Sequence, residues 1–349
     1  MFELNLGEWH VALVCLIAAV SILLIIKGGD WFVDAAIWVA EVTHIPKFIV
    51  GATIVSFATT LPELMVSAIA AAQGSADMAV GNAIGSVTAN TGLILSLTLI
   101  FAPFVIDRKD YLFRDIMLII SVALLFVLCL SGVLNPWLSI IMIVILVVFM
   151  ADNVIKAKKE ILSEKLDKNK EALKSEDNKD GEVKKDPKTI VISIVKFIVG
   201  IAAIVIGSQL LVDSGSELAF RMGVSEGVIA VTLVAIGTSL PELVTTITSL
   251  IKKNSSMSAG NIIGANIIDV CLILPVCAII AACTGATGLA VSKQSLYLDF
   301  PFCLGIVVIA LIPSLVTKKF QRWQGIAMLM SYITYLVLCV LMTNGIIFA

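Results

Sequence analysis

Apolar residues in this chain run in blocks long enough to cross a bilayer, parted by short polar turns. A helix spanning the hydrocarbon core takes about 20 mostly apolar residues. Ten stretches meet that length, at 10–40, 46–72, 76–103, 112–131, 136–155, 190–220, 227–251, 256–283, 296–316 and 323–347. Several exceed one crossing, which predicts tilt or a break. The first and sixth carry Gly28-Gly29 and Gly207, where interruptions are expected. Only one long segment departs from the pattern: residues 156–188 hold eleven Lys and nine acidic residues and no aromatic. Such a stretch buries too little apolar area to offset its ordering entropy and reads as a solvated linker.

Composition fixes the class. Hydrophobic residues make up 59% of the chain and charged residues 14%, and mean hydropathy is +1.04, which predicts an all-α integral membrane protein. The first apolar run follows Glu3 and Glu8 and no basic segment, so it reads as a retained helix, not a secretion signal. The seven cysteines show no metal-ligand spacing and read as small buried hydrophobes. A net charge of −2 says little about partners, but its distribution does. If ten spans alternate, one side receives Lys47, Arg108, Lys109, Arg114, the linker, Lys252, Lys253, Lys318, Lys319 and Arg322, and the other only Arg221 and Lys293. The positive-inside rule then puts the linker in the cytoplasm and both termini outside a cell membrane.

The chain also repeats itself. Thr59-Thr60-Leu61-Pro62-Glu63, Gly81-Asn82, Gly85-Ser86 and Asn90 return as Thr238-Ser239-Leu240-Pro241-Glu242, Gly260-Asn261, Gly264-Ala265 and Asp269, every pair 179 positions apart. Gly28, Val33 and Asp34 match Gly207, Val212 and Asp213 at the same offset. The expected organisation is a five-helix half over 1–155, a linker over 156–189 and a second half over 190–349, with the repeat cores near 46–103 and 227–283. Five is odd, so the halves enter the membrane from opposite sides. Inverted repeats of this kind place a transporter's site near the midplane where they meet.

Carboxylates inside such oily sequence need a function. Neither Glu63 nor Glu242 has a Lys or Arg within its motif to pair with. The adjoining prolines remove a backbone donor, which leaves carbonyls near 56–59 and 235–238 looking for partners. Thr59 and Glu63 share a helix face, as do Thr238 and Glu242, Ser86 and Asn90, and Ala265 and Asp269. The donors are oxygens apart from one amide nitrogen, which suits calcium, sodium or magnesium and argues against zinc, copper or iron. The forgiving geometry of calcium ranks it above magnesium. Glu63, Glu242 and Asp269 exceed the charge of one calcium, so Asp269, opposite neutral Asn90, is expected to carry a proton or to stand outside the ligand set. The four motif glycines read first as close-packing positions. Thr60 and Ser239 fit back-bonding to their own helix as well as a ligand role. Asp34 and Asp213 read as helix-end or access-path residues, and Asp30, Glu217 and Asp299 have no assignment.

These motifs resemble the cation/calcium antiporter superfamily, whose repeats carry Gly-Thr-Ser-x-Pro-Glu, then Gly-Ser and Asn or Asp, with the prokaryotic sodium/calcium exchangers the nearest branch. Gly237-Thr238-Ser239-Leu240-Pro241-Glu242 fits in full. The resemblance implies ten helices in two inverted five-helix repeats. It implies that Glu63 and Glu242 are shared by calcium and sodium and that Thr59 and Thr238 complete the calcium site. The backbone of Ser56 and Ala235, with Ser86 and Ser239, would help form sodium sites, with Asn90 and Asp269 at the middle. It further implies that the first and sixth helices slide across a rigid remainder. Two departures stand out: Ala58-Thr59-Thr60 replaces the usual glycine and serine, and Ala265 replaces a serine, which weakens one outer sodium site and leaves the stoichiometry open.

The expected function is therefore calcium/sodium antiport, with no enzymatic activity, no cofactor and no nucleic-acid partner. Calcium/proton antiport and potassium-dependent exchange are the near alternatives, so H⁺ and K⁺ stay open as coupling ions. An intramembrane acid enzyme lacks the Tyr-Asp and Gly-x-Gly-Asp pair, and an open channel fits poorly with prolines closing an acidic site. Oligomeric state is not legible.

Overall fold

The computed structural model describes residues 9–106, 108–172, 187–222 and 237–343. It is an all-α bundle. Helix α1 covers Val11–Thr43. A bent pair follows, α2 (Lys47–Thr59) and α3 (Leu61–Ala72). Next come α4 (Ala76–Phe101), α5 (Arg108–Cys129) and α6 (Pro136–Ala172). The rest comprises α7 (Pro187–Arg221), α8 (Leu240–Ile251), α9 (Ser255–Cys283), α10 (Ser295–Thr317) and α11 (Arg322–Thr343). Among the described residues eight helices are long and apolar enough to cross a membrane, nine if the bent pair counts as one span. Helix α8 is shorter, and the rest of the span expected over 227–251 lies outside the described residues.

Large apolar side chains such as Trp137, Leu23 and Val316 face outward, while Ser, Thr and Asn are frequent inside. In lipid the hydrophobic effect does not drive helices together, so close packing of small residues does much of that work. The seam between α1 and α7 shows it and corrects one expectation. Both helices run unbroken through their glycines. A Cβ on Gly28 would stand 2.8 Å from the Gly200 carbonyl oxygen, and one on Gly200 would stand 2.7 Å from the Phe32 nitrogen. Gly207 packs the same way, 3.0 Å from the Ser21 carbonyl oxygen. These glycines remove side-chain bulk where two helices meet; they do not interrupt either one.

Helix α6 continues into the charged segment as far as Ala172. Alternating Lys and acidic residues are good helix formers, and a helix already nucleated by an apolar span extends through them readily.

Polar contacts pair the loops at each end of the bundle. At one end strand β1 (Val133–Leu134) pairs antiparallel with β2 (Leu289–Ala290), Val133 opposite Ala290, and Arg221 donates to the Trp9 carbonyl at 2.9 Å. At the other, Phe320 N–H donates to the Phe104 carbonyl at 2.9 Å and Ile106 N–H to the Lys318 carbonyl at 3.1 Å. There too Lys47 donates to Asn254 Oδ1 at 2.8 Å. Each pairing joins loops that strict alternation of the spans assigns to one side.

Candidate functional site

The two Pro-Glu motifs shape the backbone alike. Pro62 cannot donate to the carbonyl four residues back, so α2 ends at Thr59 and α3 restarts at Leu61, bent by 43°. Thr60 at the joint has φ −84° and ψ −5°. Ser239, its repeat partner, has φ −88° and ψ 5° before α8. Glu63 and Glu242 consequently sit in the first turns of α3 and α8, where the positive end of a helix favours negative charge. Both are 1% exposed, and neither takes part in an ion pair among the described residues.

The second part of the site is a pair of widened helical turns that the sequence did not announce. Helix α4 passes from α to π geometry over Asn90–Leu95, and α9 does so over Asp269–Ile273. Each wide turn begins on the repeat-paired polar residue. Turns of this kind leave carbonyls without their usual donors and often mark functional positions. The two halves cross here: the turn at Asn90 packs against α8, which carries Glu242, and the turn at Asp269 packs against α3, which carries Glu63. Glu63 lies within range of the charges of both Glu242 and Asp269, and the Thr59 hydroxyl lies beside the Glu242 carboxylate.

Most of the expected ligands are buried, as the two glutamates are. Thr59, Ser56, Ser86, Asn90, Ser239 and Asp269 are all buried with the two glutamates, and Thr238 is half-buried. Both carboxylate oxygens of Glu63 and of Asp269, Glu242 Oε2, Ser86 Oγ, Asn90 Oδ1 and Ser239 Oγ are buried without a hydrogen-bond partner among the described residues. Buried oxygens left unsatisfied are costly in an apolar medium, and a hard cation is the partner such a set fits. No group of three His, Cys, Asp or Glu is gathered as a metal cluster among the described residues, so hydroxyls and carbonyls would have to share the coordination. Ala235 lies outside the described residues.

Two expectations change in detail. The Ser56 carbonyl is occupied: it accepts from Thr60 N–H at 2.9 Å and from Thr60 Oγ1 at 2.7 Å, and Thr59 Oγ1 stands 3.3 Å away. Threonines at this spacing bond back to their own helix, and here they absorb a carbonyl near the proline break. Glu242 Oε1, 3.4 Å from the Thr60 hydroxyl, is an alternative acceptor in the other half for its one hydrogen. The motif glycines divide. A Cβ on Gly260 would stand 2.2 Å from the Phe48 carbonyl oxygen and one on Gly264 2.5 Å from that of Ala52, so α9 lies directly on the backbone of α2. Gly81 and Gly85 meet nothing within 4 Å among the described residues.

The five acids that the sequence left outside the site have local partners. Asp34 pairs with Lys252 at 2.6 Å, and Asp30 with the same lysine at 3.5 Å. Asp213 accepts from Gln209 at 2.7 Å, Glu217 pairs with Arg221, and Asp299 accepts from Tyr335 Oη at 3.1 Å.

Broken helices holding unpaired acids at the crossing of two apolar helix sets define a multi-pass membrane transporter. Comparison with known proteins narrows this. The family described as sodium/calcium exchanger protein matches residues 13–153 and 192–341, and the chain belongs to that family, one of membrane ion exchangers and not of enzymes. It is 30% identical to the sodium/calcium exchanger MaX1 of Methanosarcina acetivorans over 357 residues, covering 92% of this chain and 97% of the relative. It is likewise 30% identical to the uncharacterized membrane protein MJ0091 of Methanocaldococcus jannaschii, covering 90% and 93%. Among solved structures it is similar to the sodium-calcium exchanger NCX_Mj soaked with Na⁺ and Sr²⁺, with TM-score 0.77, 26% identity and coverage of 94% and 99%.

Proposed function

We propose that the protein exchanges calcium for sodium by alternating access, at a midplane site built on Glu63 and Glu242. The observation that carries this is the buried pair of glutamates on repeat-related helix breaks, with three of their four carboxylate oxygens lacking a partner among the described residues. Calcium would be held by both carboxylates with the hydroxyls of Thr59 and Thr238. Sodium would compete for the same carboxylates, helped by Ser86, Ser239 and the backbone at Ala235, with Asn90 and Asp269 between; the Ser56 carbonyl would join them only on giving up its bonds from Thr60. An excess of negative charge in low dielectric is stable only when cations neutralise it, so the empty site resists crossing the membrane and the two ions exchange.

On this reading the halves 1–155 and 190–349 form ten spans in two inverted repeats, joined by the cytoplasmic segment 156–189, with both termini outside. The tight α1–α7 seam supports movement of those helices as one body past the remainder. The name of MaX1 and the likeness to NCX_Mj support sodium as the counter-ion. The test is ⁴⁵Ca uptake into sealed proteoliposomes with sodium, proton and potassium gradients imposed one at a time. Uptake should follow the sodium gradient and disappear in Glu63→Gln and Glu242→Gln. Uptake driven by protons and indifferent to sodium would refute sodium coupling.

A further inference from the structure

Asn82 and Asn261 belong to the repeated motif but have no role in the reading above. Their hydrogen bonds have a direction that can be worked out. The Glu242 carbonyl oxygen can only accept, so Thr245 Oγ1, 3.1 Å away, donates to it. The Thr245 oxygen is then free to accept, and Asn261 Nδ2 donates to it at 3.0 Å. That fixes the amide, since only nitrogen carries hydrogens. Asn261 Oδ1 therefore points the other way, 3.4 Å from Thr59 Oγ1, where it competes with the Ser56 carbonyl at 3.3 Å for the one hydrogen of that hydroxyl. With that hydrogen on Asn261, a chain of three bonds runs from a candidate ligand in the first half to the backbone of a candidate ligand in the second.

The consequence concerns Thr59. A hydroxyl that binds a cation presents lone pairs to it, and its hydrogen must go to an acceptor elsewhere. Near Thr59 the acceptors are the Ser56 carbonyl, the Glu242 carboxylate and Asn261 Oδ1. Ser56 already takes two hydrogen bonds from Thr60, and a cation on Glu242 would compete for the carboxylate. Asn261 is left as the acceptor with a fixed orientation.

The second asparagine is arranged alike. Asn82 Nδ2 donates to the Glu63 carbonyl at 3.3 Å and to Ser67 Oγ at 2.9 Å. Its oxygen is directed away from α3, and the repeat partner of Thr59 is Thr238. Asn82 and Thr238 are not hydrogen-bonded to each other among the described residues, whereas Asn261 is within reach of Thr59.

We infer that Asn261 and Asn82 are positioning residues that accept the hydroxyl hydrogens of Thr59 and Thr238, turning those hydroxyls toward the ion. This rests on the proposed exchange at Glu63 and Glu242.

The test is a pair of double-mutant cycles on purified full-length protein, reading the calcium Kd by equilibrium ⁴⁵Ca binding and the melting temperature in parallel. Asn261→Leu should weaken calcium about ten-fold, the scale of one lost hydrogen bond. In a Thr59→Val background the same change should have little further effect. Asn261→Ala serves if leucine overpacks. Asn82→Leu should couple likewise to Thr238→Val. An unchanged Kd with a lowered melting temperature, or an equal loss with and without the Thr59 hydroxyl, would overturn the inference. Parent protein that binds no calcium would instead refute the exchange reading itself, so the two failures are distinguishable.

Discussion

Ala265 is fully buried at the position where its repeat partner, Ser86, holds a buried hydroxyl without a partner among the described residues. On the proposed reading a sodium ion on that side would have one oxygen fewer to coordinate. Ala265→Ser should therefore raise sodium affinity or steepen the sodium dependence of exchange, and an unchanged dose–response would show that the position does not face the ion. Asp269 differs from Asn90 by a charge, and if it stays outside the calcium ligand set, Asp269→Asn should bind calcium as tightly as the parent near neutral pH. Loss of tight binding at every pH tested would make Asp269 a direct ligand. These candidates were legible because acids and hydroxyls are conspicuous in apolar sequence. Asn261 was visible in the motif but its role was not: that depends on the direction of a hydrogen-bond chain through Thr245, which spacing cannot supply.

Among the described residues most helix boundaries followed the hydrophobic blocks closely, because length in lipid is a strict constraint; α6, which runs on through charged sequence to Ala172, is the exception. What happens inside the blocks was harder to read. The turns at Asn90 and Asp269 have no common sequence cause beyond their place in the repeat: Pro275 follows in one copy, whereas Ser96 stands at the equivalent position in the other. The glycines of α1 and α7 looked like breaks because glycine weakens a helix, yet the contact between Gly28 and Gly200 decides the matter. Gly200→Leu should force the seam apart, costing about 1–3 kcal/mol and slowing transport more than it weakens calcium binding. Melting temperature, uptake rate and Kd measured together would check it; a parallel loss in all three would argue against a separate moving pair.

The assembled bundle is tied at both ends, by the β1–β2 pairing at one and by the contacts of residues 104–106 with 318–320 at the other. Single cysteines placed in the loops 130–135 and 285–293 of a cysteine-free protein should react with an impermeant maleimide from one side of the membrane. Cysteines at 104–106 and in the linker should react from the other, and any mixed result would break the alternation of spans. A last consequence comes from the length of the paired helices. Helix α1 has 33 residues and α7 has 35, so each rises about 50 Å at 1.5 Å per residue, against a hydrocarbon core of about 30 Å. Such helices must lean steeply or stand proud of the lipid, and any change in their lean alters how much apolar surface meets acyl chains. Bilayer thickness then acts as a control on the exchanger: turnover in vesicles of short- and long-chain lipids should differ even where ion affinity does not.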